Sequence, residues 1–203
     1  ATMLALYALI EPEDHIISMY PTYQQLYDIP KSLGAEVDLW EVEEDKGWLP
    51  DLDQLRRLIR PNTKMICINN ANNPTGALMD AAYLGDLVAI AKTYSIPGIR
   101  VGWVASNTKV ANILRDYRDY TMICAGVFDD MVATLVLENK EAILERNRQI
   151  IEENLALMDE WIAKEPKASW IRPASVSTSF VKLDVDRPIE VFALELLQEY
   201  GVL

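Results

Sequence analysis

Met65-Ile66-Cys67-Ile68, followed at once by Asn69-Asn70-Ala71-Asn72-Asn73-Pro74-Thr75-Gly76, is the stretch on which the fold turns. Four consecutive apolar residues suit a strand buried on both faces, as in a parallel, helix-covered sheet. The run that follows is polar and rich in Asn, Pro and Gly, the residues that form turns. A loop leaving the C-terminal end of such a strand lies on the edge where open α/β sheets bind their ligands.

Working upstream, Asp51 with Gln54 reads as a capping box before Leu52, Leu55, Leu58 and Ile59, giving a helix over 51–60 that Pro61-Asn62 ends. Val37, Leu39 and Glu41 alternate with Asp38 and Trp40, as in a strand near a sheet edge. His15 to Tyr20 is another nearly continuous apolar run, read as a buried parallel strand. Pro21-Thr22 opens a helix over 22–33 with Thr22 as N-cap; Pro30 kinks or shortens it, and Gly34 suits the position after it. Residues 1–10 read as a largely apolar helix.

Downstream, Asp80 caps a helix over 80–91 whose Leu84, Leu87, Val88 and Ala91 share one face. A strand over 99–105 follows. Ser106 or Asn107 then caps a helix that turns Val110, Ile113, Leu114 and Tyr117 inward. Further helices are expected over 129–138 and 140–163, the latter with Leu144, Ile151, Leu155, Met158 and Ile162 on one stripe. A strand over 178–185 and a final helix over 191–200 close the chain, with Pro188 in the first turn and Gly201 after the last. The strand–helix alternation up to about residue 106 predicts a parallel sheet covered by helices. The helix-rich remainder reads as a smaller appended unit.

Half of the residues are hydrophobic and a quarter are charged, which is ordinary for a globular chain. The net charge of -12 argues against a nucleic-acid partner, since binding a phosphate backbone needs a basic face. No run approaches a membrane span and no signal peptide is visible, so no membrane partner is expected. Cys67 and Cys124 read as reduced, buried thiols and point to the cytoplasm. His15, the single histidine, precedes an apolar run, which speaks against a histidine-based triad or metal site.

A second stretch carries the chemistry. Lys92-Thr93-Tyr94-Ser95-Ile96-Pro97-Gly98-Ile99-Arg100-Val101-Gly102-Trp103 sets a lysine eight residues before an arginine. Lysine can form a Schiff base with an aldehyde cofactor, and arginine offers a planar fork of donors that matches a phosphate. Together, Asn73-Pro74-Thr75-Gly76 and the Lys-x7-Arg-x-Gly spacing resemble the fold-type I pyridoxal 5'-phosphate (PLP) enzymes, in particular the class I/II aminotransferases. The order along the chain fits as well: Pro21-Thr22-Tyr23, then Asn73, then Lys92 and Arg100.

The resemblance implies a large PLP-binding domain over 1–139 and, over 140–203, an interdomain helix with part of a smaller α+β domain. It implies transfer of an amino group between an amino acid and a 2-oxo acid in a homodimer. Lys92 would carry the cofactor as a Schiff base and then serve as general base. Arg100 would hold the phosphate, Asn73 would donate to the ring hydroxylate, and Tyr23 would stack on the pyridine. The residues alone also allow plainer roles: a surface lysine, a strand arginine, a turn asparagine and a packed aromatic.

Four departures from the family pattern stand out. The Asp-x-x-Tyr run, whose aspartate pairs with the pyridine nitrogen, has no match here. Ala89 and Ala91 stand where serines usually precede the lysine. The chain starts after the family's glycine-rich phosphate turn, and stops before its substrate-binding arginine. Ala91-Lys92-Thr93 therefore reads as a junction at which some tens of family residues are absent. Lys92 is either the cofactor lysine or the end of the preceding helix. We read the absent segments as omitted from the sequence rather than lost from the protein, because losing two central strands would expose a large apolar face. Other fold-type I chemistry (a lyase, decarboxylase or oxidative deaminase) and a truncated, non-catalytic remnant are the alternative readings.

Overall fold

The computed structural model describes residues 2–80, 102, 104–174 and 177–202. Helix α1 (Thr2–Leu9) leads into strand β1 (His15–Tyr20), helix α2 (Gln25–Ser32) and strand β2 (Glu36–Glu41). Helix α3 (Leu52–Leu58) and strand β3 (Thr63–Cys67) complete a three-stranded parallel sheet in the order β2-β1-β3. Parallel neighbours need a crossover, and α2 and α3 supply the two crossovers here.

The central strand explains the layering. His15 to Met19 of β1 are all buried. Successive side chains of a strand point to opposite faces. Ile16 therefore packs with Leu6, Ile10, Ala35 and Cys67, alongside Leu26, Ile29 and Leu33. Ile17 and Met19 face the other way, toward Trp40, Val42 and Met79, with Leu55 and Leu58 of α3 against them. Helices α1 and α2 thus cover one face and α3 the other, which is the α/β architecture expected.

Local chemistry fixes the elements. Asp51 caps α3 by accepting from the Asp53 and Gln54 amides at 2.8 and 3.4 Å. The Trp40 indole donates to the Asp51 carbonyl at 3.0 Å, which ties this cap to β2. Gly34, at φ 88°, closes α2, with Pro12 lying 3.4 Å from where a β-carbon would stand. At the N-terminal end of β1, His15 Nδ1 lies 2.7 Å from Thr63 Oγ1. Its Nε2 lies 3.2 Å from the Asp38 carboxylate, in contact but outside hydrogen-bond geometry. Arg60 in turn donates to Asp38 at 2.6 Å.

The second half holds helices α4 (Thr108–Arg118), α5 (Val127–Glu138) and the long α6 (Lys140–Lys164). Asn107 caps α4 by accepting from the Val110 amide at 3.0 Å. A short antiparallel pair, β4 (Ala168–Trp170) with β5 (Val181–Leu183), packs beside α6. Helix α7 (Ile189–Glu195) continues into a wider turn over Leu196–Tyr200, after which Gly201 reverses at φ 67°.

Several expectations are corrected. Helix α2 begins at Gln25, not Thr22, because the Thr22 hydroxyl is taken by another partner. The strand over 178–185 shrinks to Val181–Leu183, and β4, its partner, was not anticipated. Within α4, Leu114 is buried but Ile113 and Tyr117 remain partly exposed. Cys124 is exposed; only Cys67 is a buried thiol. The helix over 80–91 lies almost wholly outside the described residues. Of the strand over 99–105, only Gly102, Val104 and Ala105 are described, and none of them belongs to a strand.

Candidate active site

The C-terminal ends of β1 and β3 lie side by side, because the two strands run parallel as neighbours. Each hands the chain to a loop: Pro21-Thr22-Tyr23 after β1, and Asn69 to Gly76 beyond β3. A buried polar cluster joins the two loops. Thr22 Oγ1 donates to Asn72 Oδ1 at 2.8 Å. Asn72 Nδ2 donates to the Pro21 carbonyl and to Thr75 Oγ1, both at 2.9 Å. Asn72 and Thr75 are each only 1% exposed.

The backbone of Asn72 is engaged as well. Its amide donates to the Ala77 carbonyl at 2.8 Å, and its carbonyl accepts from the Gly76 amide at 2.8 Å. Just outside this closed turn, Asn70 and Met79 exchange two bonds: Asn70 Nδ2 to the Met79 carbonyl at 2.9 Å, and the Met79 amide to Asn70 Oδ1 at 2.8 Å. The peptides Tyr20–Pro21, Asn70–Ala71 and Asn73–Pro74 are cis.

The residues that follow the two clamp residues are less buried. Tyr23 is 40% exposed, and Asn73 is half-buried. Among the described residues the Asn73 side chain forms no hydrogen bond, so its amide has donors to offer. Asn69 Nδ2 is buried and likewise unpartnered among the described residues. Next to Tyr23's loop, the Tyr20 ring meets Tyr27 edge-on, with centroids 5.7 Å apart.

The C-terminal half reaches this end of the sheet. Pro173 packs directly over Gly76, and the Ala174 amide donates to the Gly76 carbonyl at 3.3 Å. Nearby on the chain, Phe180 meets Trp48 edge-on at 5.6 Å, and Lys182 pairs with Glu44 at 3.0 Å. Arg172 is held to α6 through Asp159 at 2.9 Å.

Of the expected site residues, Tyr23 and Asn73 therefore sit on adjacent loops at the C-terminal end of the sheet. Lys92 and Arg100 lie outside the described residues. Asn72, Thr22 and Thr75 were not singled out for a role in the site. The signal for Asn72 was present only as the doublet Asn72-Asn73. His15 stands at the opposite end of β1, about 16 Å along the strand at roughly 3.3 Å per residue, and takes no part. A groove of about 290 Å³ opens beside Lys167, Arg187, Phe192 and Tyr200, but none of the expected site residues lines it. Its Arg187 is already paired with Asp186 and Glu195. Among the described residues no group of His, Cys, Asp and Glu is arranged to hold a metal ion, and no helix is long and apolar enough to cross a membrane.

Comparison with known proteins converges on one family. The sequence model described as aminotransferase class I and II matches residues 1–94 and 88–203. The two matches overlap around Lys92. A PLP-dependent aminotransferase from Streptococcus suis has a similar structure, with a TM-score of 0.91 at 60% identity, over 100% of this chain and 64% of that one. Capreomycidine synthase from Streptomyces vinaceus is 25% identical over 244 residues, which covers 100% of this chain and 63% of that protein. That alignment is longer than the 203 residues of this chain, so the relative carries residues that this chain lacks within the matched span. An aspartate aminotransferase from Pyrococcus horikoshii is 35% identical over 95 residues, 47% of this chain and 24% of that protein. The chain spans less than two thirds of the length of each of these relatives.

Proposed function

Because the chain belongs to the class I and II aminotransferase family, we propose that it serves a PLP-dependent transfer of an amino group between an amino acid and a 2-oxo acid. The observation that carries this reading is the clamped pair of loops at the C-terminal end of β1 and β3. It brings together the loops that carry Tyr23 and Asn73, whose amide has no partner among the described residues, at the kind of sheet edge where α/β folds bind ligands.

The residues present fit the cofactor. A half-buried amide whose donors have no partner among the described residues suits an anionic ring oxygen, and a partly exposed tyrosine ring suits a planar heterocycle. When bound, PLP supplies the electron sink that makes the substrate's α-proton removable. In this reading Asn73 donates to the ring hydroxylate and Tyr23 covers one face of the ring, excluding water from it. Arg100 binds the phosphate. Lys92 holds the cofactor through its Nζ and moves the proton at the substrate's α-carbon.

The division into a cofactor domain over 1–139 and an interdomain helix with part of a small domain over 140–203 belongs to the same proposal. So does a homodimer. Supporting it, Phe128, Met131 and Leu135 of α5 form one apolar stripe, with Phe128 82% exposed. The two free cysteines agree with a cytoplasmic setting.

Adding PLP to the protein tests the reading. It should produce visible absorbance at about 400–430 nm, and Lys92→Ala should abolish it. Arg100→Ala should weaken retention by about 1.5–3 kcal/mol, the usual worth of a hydrogen bond to a charged group, while leaving the band's position unchanged. Amino-group transfer from an amino acid to a 2-oxo acid should follow the band. A specific observation favours a second reading: the residues missing against capreomycidine synthase, with the family match split into two pieces that overlap over 88–94, fit a chain that keeps the fold without the activity. Wild-type protein with no absorbance change on adding PLP would select that reading.

A further inference from the structure

We propose that Asn72, a residue to which the family reading gives no role, is the positioning residue of the site. In this proposal its side chain fixes Tyr23 and Asn73 relative to one another. The proposal rests on the reading of this edge as a cofactor pocket. Each gripping residue immediately follows one arm of the clamp: Tyr23 follows Thr22, and Asn73 follows Asn72. The planar peptide that follows a residue carries the N and Cα of its successor, so locking a residue on both backbone and side chain fixes where its successor begins. Asn72 is locked in that way through five hydrogen bonds, three from its side chain and two from its backbone.

The chemistry selects asparagine. The position must accept from the Thr22 hydroxyl and donate twice, to a carbonyl that can only accept and to the Thr75 hydroxyl. A carboxamide offers this combination, and its length sets the 2.8–2.9 Å distances. Aspartate has the same shape but would set an acceptor against the Pro21 carbonyl in a buried place. Alanine would leave the Thr22 hydroxyl and the Pro21 carbonyl without the partner they have now.

The link spans two segments fifty residues apart in sequence. A change at Thr22 should therefore reach Asn73 through Asn72, and a change at Asn72 should reach Tyr23 through Thr22 and the Pro21 carbonyl. A residue that merely stabilises the fold makes no such demand.

The test uses Thr22→Val, Thr22→Ser, Asn72→Ala and the double variant Thr22→Val/Asn72→Ala, with two readouts. The first needs no cofactor: the side-chain amide resonances of Asn73, identified by their loss in Asn73→Ala, and the ring resonances of Tyr23. Thr22→Val should move the Asn73 amide, Thr22→Ser should leave it in place, and Asn72→Ala should move the Tyr23 ring. The second is the dissociation constant for PLP, read from the visible band. It should rise about tenfold in Thr22→Val and in Asn72→Ala, in the range found when groups that orient a ligand-holding residue are removed. The double variant should be no worse than the poorer single variant, because both break one connection. Thr22→Ser should bind within about twofold of wild type, since it keeps the hydroxyl.

Resonances that stay in place in Thr22→Val and Asn72→Ala overturn the proposal. So does a lowered unfolding temperature with unchanged PLP affinity. If wild-type protein shows no band with PLP, the cofactor reading fails, and the resonances alone decide whether Asn72 positions the two loops. Should Asn72→Ala not fold, Thr22→Val decides between the same outcomes, since it removes one bond and keeps the side-chain volume.

Discussion

Replacing Gly76 by alanine should separate two costs that usually arrive together. Gly76 has φ 71°, so any β-carbon there meets its own backbone. That left-handed conformation costs an L-residue roughly 1–2 kcal/mol. In addition, the new β-carbon would stand 2.5 Å from the β-carbon of Pro173 and 3.1 Å from its α-carbon. Neither is the far end of a flexible side chain, so loop or proline must move, at a cost of about 1–3 kcal/mol. Gly47 supplies the control: its φ is 67°, with nothing within 4 Å of the added carbon. Urea unfolding should therefore show Gly47→Ala losing about 1–2 kcal/mol and Gly76→Ala about 2–5 kcal/mol. Pro173→Gly removes the nearer of the two atoms and destabilises on its own account by loosening the unfolded chain. The cycle Gly76→Ala, Pro173→Gly and both together should then give a favourable coupling of about 0.5–3 kcal/mol. Equal losses at Gly76 and Gly47, or strict additivity with Pro173→Gly, would refute the claim that the C-terminal half rests on this loop.

The two cysteines should differ sharply. Native protein should react with a thiol reagent at Cys124, which is exposed, and at Cys67 only after unfolding; equal labelling by mass spectrometry would contradict the buried site. Burial pushes the Cys67 thiol up to about 11. The folded state therefore holds this proton where the unfolded chain, with a thiol pKa of about 8.5, has lost it. The resulting stability is complete below about 8.5 and is lost as pH rises through about 11, so the urea midpoint should fall more from pH 8 to pH 10 in wild type than in Cys67→Ala. At the acid end, hydrogen bonds from the Asp53 and Gln54 amides hold the Asp51 carboxyl below its usual range. Its capping contribution is present above the ordinary carboxylate value and lost as pH falls through the depressed one. Asp51→Ala should thus lower the unfolding temperature at pH 7 and show a weaker loss on acidification than wild type. Phe128→Asp should shift a dimer toward monomer in sedimentation if α5 lies at the subunit interface.

Much of the fold was legible because its cues are local. Met65-Ile66-Cys67-Ile68 and His15 to Tyr20 are apolar runs of strand length, and they lie in neighbouring parallel strands. Strand β1 is buried as read, but β3 ends at Cys67 and leaves Ile66 41% exposed, so it is not the strand buried on both faces that four apolar residues suggested. Asp51 and Asn107 sit where capping chemistry requires them, and both caps form. What failed is non-local. Thr22 has the composition of an N-cap, but its hydroxyl gains more from a buried amide fifty residues away than from the start of a short helix. The strand β4 went unread because Ala168–Trp170 is three residues long and exists through pairing with β5. Cys124 lies among apolar residues that remain exposed, and a run of apolar side chains does not by itself say what covers it.

The candidate site shows the same limit in a sharper form. Asn72 and Asn73 are identical side chains one residue apart, and sequence gives no reason for one to face inward. The structure separates them by what each can satisfy. Asn72 meets a hydroxyl donor, a hydroxyl acceptor and a carbonyl, and the turn closed by the Ala77 and Gly76 bonds points it there. With Asn72 used up in this way, Asn73 is the less buried of the two, and its amide has no hydrogen-bond partner among the described residues. A doublet at such a turn therefore divides its work by position: the first residue holds the loop and the second is available to a ligand. Asn72→Ala and Asn73→Ala should therefore fail differently. The first should disturb the resonances of Tyr23 on the other loop. The second should weaken PLP binding while leaving Tyr23, Thr22 and the unfolding temperature close to wild type. Matching defects in the two variants, by those measurements, would mean that the doublet acts as one unit and that this division of labour is wrong.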